Sequence, residues 1–311
     1  MDLDPRQTAA VRAVIETGSF EQAAVRLNLT ASAVSQRVRA LEIRLGNPLV
    51  VRTRPCRATP VGQRLLQYLR RTALLEDDFA SDLAHASEAL LCIAVAVNAD
   101  TLSTWFFPAL ADVLLQENVL LDLSVEDQDH THARLASGLA IGCITTESTP
   151  LRGCSAEHLG AMRYRLVAAP RFVARWFPAG LTREAARRAP VMLSSRKDAL
   201  QARFLEAHFG LPPEAYPSHY VPAAVPRYLA IQRGLAYGMV PELEFGDALE
   251  QGALIDLAPA QPTDIELYWH TWKVQSPRLE KLSAQIVTLG RAALATGQTT
   301  DVATDAVSAI G

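Results

Sequence analysis

The sequence predicts an α+β chain of several domains: an N-terminal winged helix-turn-helix, a long linker helix and a C-terminal α/β body of two subdomains. Three observations predict it. Ser19 to Leu45 reads as two short helices joined by a tight turn. Thr59-Pro60 opens an amphipathic stretch too long to pack within a head of that size. From Leu90 onward, apolar strand-like runs alternate with helical ones. The expected boundaries are 1–59 for the head, 60–88 for the linker, 89–297 for the body and 298–311 for a frayed tail. Within the body, 89–162 and 268–297 form one subdomain and 163–267 the other.

The head is built from short signals. Pro5 to Glu16 is amphipathic, with Val11, Val14 and Ile15 inward. Ser19 caps the next helix, and Gln22 stands where it could close a capping box. Ala23 and Ala24 are small enough for a second helix to cross closely. Asn28-Leu29-Thr30 breaks the chain, with Thr30 as the following N-cap. Val34, Val38, Leu41 and Leu45 then share one face at helical spacing. Ser32, Gln36 and Arg39 point the other way, with Ser35 and Arg37 on the flanks. Arg forks onto guanine, Gln onto adenine, and Ser onto either. After Gly46-Asn47-Pro48, Leu49-Val50-Val51 reads as a short strand, and Arg52, Arg54 and Arg57 punctuate a hairpin around Pro55. Such a wing brings arginines to backbone phosphates or the minor groove. Up to Arg71 the chain has twelve arginines against five acids, a net +7 on a chain whose total is −3. A basic head on an acidic body is an electrostatic footprint for DNA.

The linker helix starts at Thr59-Pro60, a cap followed by proline at the first helical position, and runs to about Ser87. Leu65, Leu69, Phe79 and Leu83 share a face, read here as the seam of a homodimer that holds two heads on two half-sites. The competing reading packs that face on the chain's own body.

In the body, strands are expected at Leu90 to Val97, Val119 to Val125, Leu139 to Thr145, Tyr164 to Ala169, Val191 to Ser194, His219 to Val221, Ala236 to Val240 and Ile265 to Trp272. Helices are expected at Thr101 to Gln116, Thr131 to Ser137, Thr182 to Arg188, Leu200 to Phe209, Tyr228 to Arg233, Glu242 to Glu250 and Pro277 to Leu294. Ligands of such open sheets sit at the carboxyl ends of the strands, and here a cleft between subdomains is the natural pocket. A carboxylate on a ligand would find donors at Asp100, Thr101 and Ser103, where a helix begins. Cationic groups on a ligand would find acids at Glu126, Asp127 and Asp129, with Asp100 nearby. Thr145 and Thr146 end the third strand at the same edge. Trp105, Trp269 and Trp272 read as core, and His270 as a satisfied strand residue.

Other classes find little support. No apolar run reaches the roughly 20 residues a bilayer requires, and no leader peptide is apparent. Cys56, Cys92, Cys143 and Cys154 have no paired spacing, so no disulfide and no metal site is expected, and a reducing cytoplasm is the expected setting. His130 and His132 lack a third ligand at useful spacing. No phosphate loop, GxGxxG, GxSxG or HExxH is present, so neither enzyme chemistry nor a cofactor is expected. A sequence-tolerant architectural DNA protein would need the head but not the cleft.

Over its full length the chain resembles LysR-type transcriptional regulators. The A-A-x-x-L and S-x-V-S-x-x-φ-x-x-L-E pattern (φ hydrophobic) from Ala23 to Glu42 carries that resemblance. It implies that the body is a periplasmic-binding-protein-like effector domain. The stretches RPCRATPVGQRLL, AVNADTLSTWFFPAL, VEDQDHTHARLASG and LYWHTW resemble more narrowly the branch that controls basic amino-acid export. That likeness implies a lysine or arginine effector and a dimer of dimers that bends promoter DNA. With effector bound, it implies activation together with RNA polymerase. VMLSSRKD and HYVPAAVPRYL, in the second subdomain, depart from that branch, which leaves open a regulator of another pathway with a different small-molecule effector.

Overall fold

A computed structural model describes residues 3–83, 90–125, 131–136 and 139–296; of 74, 75, 77–83, 131–133 and 296 it describes the backbone alone. Three helices form the head: α1 (Pro5–Thr17), α2 (Phe20–Leu27) and α3 (Ala31–Leu45). Asp4, Ser19 and Thr30 cap them, and Gly18, Asn28 and Gly46 end them in the left-handed region. The cap of α2 differs from the expected box. Ser19 Oγ accepts from the Glu21 and Gln22 amides and donates to the Glu21 carboxylate, while the Ser19 amide turns to the Thr17 hydroxyl. Thr17 therefore does what Gln22 was expected to do. Val11, Val14, Ala23, Ala24, Val34, Val38 and Leu41 close the head's core.

The wing is a two-stranded hairpin, β1 (Val50–Val51) against β2 (Arg57–Ala58). Glu42 Oε1, from the last turns of α3, accepts from the Leu49 and Val50 amides at 2.8 and 3.2 Å. One carboxylate thus fixes where the wing leaves the second helix of the turn. The linker helix α4 (Pro60–Leu83) begins against the same strand. Thr59 caps it, accepting from the Gly62 amide. Gly62 sits so close to the wing that a Cβ there would lie 2.1 Å from the Leu49 carbonyl oxygen.

Leu65 and Leu69 correct the dimer reading. Leu65 belongs to the head's buried core and Leu69 packs partly against it, so both are consumed within the chain. The helix face that was read as one seam is divided: its first half closes the head. The side chains of Phe79 and Leu83 lie outside the described residues.

Among the described residues, the body's main sheet has seven strands. β3 (Leu91–Val97), β4 (Val119–Val125) and β5 (Gly142–Thr145) are parallel. β11 (Thr263–Trp272) runs antiparallel to β5 and to the fifteen-residue β6 (Cys154–Ala168), which in turn carries β9 (Gly238–Pro241) and β10 (Ile255–Asp256). β7 (Val191–Leu193) and β8 (Ser218–Tyr220) form a separate parallel pair. The helices are α5 (Ala99–Thr101), α6 (Phe107–Gln116), α7 (Thr131–Ala136), α8 (Pro170–Trp176), α9 (Arg183–Arg188), α10 (Leu200–Phe209), α11 (Ala224–Gln232), α12 (Glu242–Phe245) and α13 (Pro277–Thr296). The expected helix from Thr101 to Gln116 is broken: a π-helical turn at Leu102–Phe106 joins α5 to α6, and Pro108 sits in the first turn of α6. β6 and β11 are the two strands that cross between subdomains. Their register slips between Leu267 and Tyr268, opposite Gly160, whose φ of 134° suits glycine.

Trp105 and Trp269 are core, as expected, and Trp272 packs with Cys143 and Cys154. Burial pushes the Cys143 thiol up to about 12 and, against the pull of Arg71, Cys154 up to about 11. Neither holds thiolate near neutral pH, as befits packing residues. Among the described residues no helix is long and apolar enough to cross a membrane, and no group of three or more His, Cys, Asp or Glu could hold a metal ion.

Candidate functional site: a DNA-reading head and an effector cleft

On α3, the side opposite the core presents Ser32, Gln36 and Arg39, all exposed, with Thr30 at its start and Ser35 and Arg37 half-buried on the flanks. Thr30 Oγ1 lies 3.1 Å from the Ser32 hydroxyl and caps the helix through the Ala33 amide. The wing presents Arg52, Arg54 and Arg57, all exposed. Arg52 lies over the Phe20 ring at 5.0 Å, which holds its guanidinium beside the start of α2. The helix face and the wing lie on either side of Glu42, so the head offers one polar helix face and one cationic tip in fixed relation.

The second site is a cleft of about 410 Å³ in the body. One wall comes from the carboxyl ends of the first parallel strands: Asn98, Ala99 and Asp100 after β3, Val125 at the end of β4, and Thr146 after β5. The facing wall comes from the carboxyl end of β7 and the segment into α10, with Ser194, Lys197, Asp198, Gln201 and Arg203, and from Arg227 on α11. Asp264, Ile265 and Glu266 on the crossing strand β11 complete it. The strand-end rule therefore holds for both subdomains, with the two edges turned toward each other.

Charged contacts bridge this cleft. Arg227 pairs with Asp100, and the other Asp100 oxygen accepts from the Tyr164 hydroxyl at 2.9 Å. Ser103 donates to Glu244 on α12 at 3.0 Å and to the Asp100 carbonyl. Burial pushes the Glu244 carboxyl up, with Asp100 adding to the rise and the Ser103 bond and Arg227 opposing it. The remaining acids have their own partners. Asp264 forms a two-pronged pair with Arg163, Glu266 meets His158, and Asp198 accepts from the Ser194 hydroxyl and amide and the Leu200 amide.

Several expected effector contacts are corrected by this geometry. Thr101 is fully buried, and its amide donates to the N-cap Asn98 Oδ1 at 2.7 Å, so that amide is already taken. Ser103 is committed to Glu244 and does not line the cleft. Thr145 is buried, its hydroxyl accepting from the Glu147 amide, whereas Thr146 does line the cleft. Asp100 lines it, as an ion-pair partner rather than a free group. Glu126, Asp127 and Asp129 lie outside the described residues. Asn98, Asp198, Gln201, Arg227, Asp264 and Glu266 were missed. The signal for the stretch from Ser194 to Gln201 was available: it follows a strand at its carboxyl edge, as Asn98 and Asp100 do.

A head with a readable helix face and cationic wing, joined to a body with a ligand-sized cleft between two subdomains, defines a ligand-responsive DNA-binding protein. Residues 5–63 match the family described as "Bacterial regulatory helix-turn-helix protein, lysR family", and 89–290 the "LysR substrate binding domain". The chain belongs to the LysR family of transcriptional regulators, which are not enzymes. It is 40% identical over 296 residues to the HTH-type transcriptional regulator ArgP of Aeromonas salmonicida, covering 95% of this chain and 99% of that one. Against ArgP of Klebsiella pneumoniae (strain 342) the identity is 39% over 291 residues, 94% and 98% of the two chains. The crystal structure of ArgP from Mycobacterium tuberculosis matches with a TM-score of 0.80 at 40% identity, over 93% of this chain and 98% of that one. Full-length LysG from Corynebacterium glutamicum, solved with its effector Arg bound, matches with a TM-score of 0.74 at 34% identity over the same shares.

Proposed function

We propose that this regulator responds to a basic amino acid, arginine or lysine, and controls genes for basic amino-acid export or related tasks. The near full-length identity to ArgP regulators carries the reading. The likeness to an arginine-bound LysG and the acids around the cleft support it. Ser32, Gln36 and Arg39 read base edges in the major groove, with Thr30, Ser35 and Arg37 beside them; Arg52, Arg54 and Arg57 hold phosphates or the minor groove. Two heads per dimer, and two dimers per assembly, place those faces on successive half-sites, and RNA polymerase is the partner that reads the outcome. The setting is cytoplasmic.

The test is a thermal-shift titration of the full chain against the common amino acids, followed by footprinting on its own promoter region with each ligand that binds. Arginine or lysine should raise the melting temperature with concentration, as linkage requires, and change the footprint. Stabilisation by an unrelated small molecule alone would assign the regulator to another pathway.

A further inference from the structure

The cleft holds more unmet hydrogen-bond donors than acceptors. Arg227 is nine-tenths buried, and its Nη1 has no hydrogen-bond partner among the described residues. The same is true of Asn98 Nδ2 and Gln201 Nε2, on side chains 2% and 1% exposed. The orientation of both amides is fixed by the oxygen end: Asn98 Oδ1 takes the Thr101 amide, and Gln201 Oε1 takes the Met239 amide at 2.8 Å. All three residues line the cleft, and each leaves a nitrogen with no acceptor among the described residues. Native proteins rarely leave buried donors unmet, and a cationic one least of all. The group that satisfies several donors, one of them a guanidinium, is a carboxylate.

The opposite charge is held against it. Asp100 belongs to the first subdomain and Arg227 to the second, and their pair spans the cleft. A zwitterionic α-amino acid carries the complementary couple, an ammonium and a carboxylate on one carbon. Inserted between the two residues, it replaces one ion pair by two and leaves neither protein charge buried alone, which a ligand of single charge would do. We propose that Asp100 and Arg227 are the receptor couple for the α-ammonium and α-carboxylate of the effector, with Asn98 and Gln201 completing the carboxylate subsite. The proposal rests on the reading of the cleft as an amino-acid site. It assigns selection of the ligand's side chain to other groups, because the couple recognises what all α-amino acids share.

The experiment is calorimetric titration of the full chain with L-arginine and with agmatine, its decarboxylated analogue, and likewise with L-lysine and cadaverine. Wild-type protein should prefer the amino acid by at least about tenfold, the scale of a charge-assisted hydrogen bond. In Arg227→Met, checked first for cooperative melting, that preference should collapse toward one, with arginine binding weakened and agmatine binding strengthened because Asp100 no longer has to be freed from Arg227. Equal wild-type affinity for arginine and agmatine would overturn the couple and leave the arginine reading standing. So would a variant that keeps the preference. Binding of a different α-amino acid, with its own carboxylate required and Arg227 needed, would support the couple and overturn the basic effector. Should Arg227→Met fail to fold, the wild-type ligand series decides.

Discussion

Glu244, beside the Asp100–Arg227 pair, is a half-buried carboxyl through which stability depends on pH. Its carboxylate accepts from Ser103 across the subdomain boundary, and burial raises its pKa above the ordinary 4.5. The folded chain then binds the proton more readily than the unfolded chain. Its stabilising contribution is full below the unfolded value and is lost as pH rises through the folded one. Glu244→Gln keeps an acceptor oxygen for Ser103 and removes the ionisation. The variant should melt above wild type at about pH 7, and the gap should close as pH falls through the raised folded value toward the ordinary 4.5. A gap independent of pH in matched thermal melts would show that the charge is not what strains this contact. The same residue explains what was hard to read. Glu244, Arg227 and Gln201 lie in segments whose polar residues look like solvated helix faces, and their burial follows from the fold of the second subdomain onto the first. Asp100 was legible because it is an acid three residues past the end of an apolar strand. Thr101 and Ser103 were placed at the right strand end with the wrong partners, because a local pattern does not reveal that Asn98 caps the turn or that Glu244 arrives from 141 residues away.

At the scale of elements, α3 and the wing should separate into two kinds of binding. Glu42 ties the base of the wing to α3, so the two address the duplex as one unit. Arg39→Ala or Gln36→Ala should weaken binding to the promoter site by about 1–3 kcal/mol while nonspecific binding hardly changes, because base contacts carry sequence information. Arg54→Ala should weaken binding to all sequences alike and lower the slope of log K against log salt by about 0.9, one released counterion. Fluorescence anisotropy on specific and scrambled duplexes over a salt series measures both. Equal losses on the two duplexes for Arg39→Ala would remove it from the reading face. The head's helices were legible because their caps, breaks and apolar stripes are all local. β6 was not: only its last residues, from Tyr164, read as a strand, since its first ten mix charged, glycine and exposed positions. Those residues are a strand because β11 pairs with them along their length. α8, opened by Pro170 after an N-cap with no capping side chain, and the two-residue β10 gave no local signal.

Across the whole molecule, the question is how a ligand in the cleft reaches the head. Gln67 and Arg70 on the linker helix donate to the Ala136 and Leu139 carbonyls at 2.5 and 2.6 Å, at the end of α7 and just past it. The chain continues from there into β5, and Thr146 at its far end lines the cleft. A short strand thus has the cleft at one end and the contacts to the linker at the other. Arg70 also pairs with Glu16 of α1 at 3.2 Å, while Arg26 holds the other Glu16 oxygen. One guanidinium therefore touches the head and the body, and removing it leaves Glu16 with a partner. This division of the linker, its first half spent on head and body, was not visible in a face read from Leu65 to Leu83; Leu65 in the head's core and Gly62 against Leu49 show how closely the helix is pressed onto the head. Spatial continuity is not coupling, and the coupling is measurable. Arg70→Ala should bind its effector with an unchanged thermal shift and its promoter site with near wild-type affinity when no effector is added. What it should lose is most of the effector-driven change in footprint, because α7 and β5 then move without taking the linker with them. A full effector response in this variant would mean that the signal leaves the body elsewhere, through the second half of the linker helix or the partner subunit.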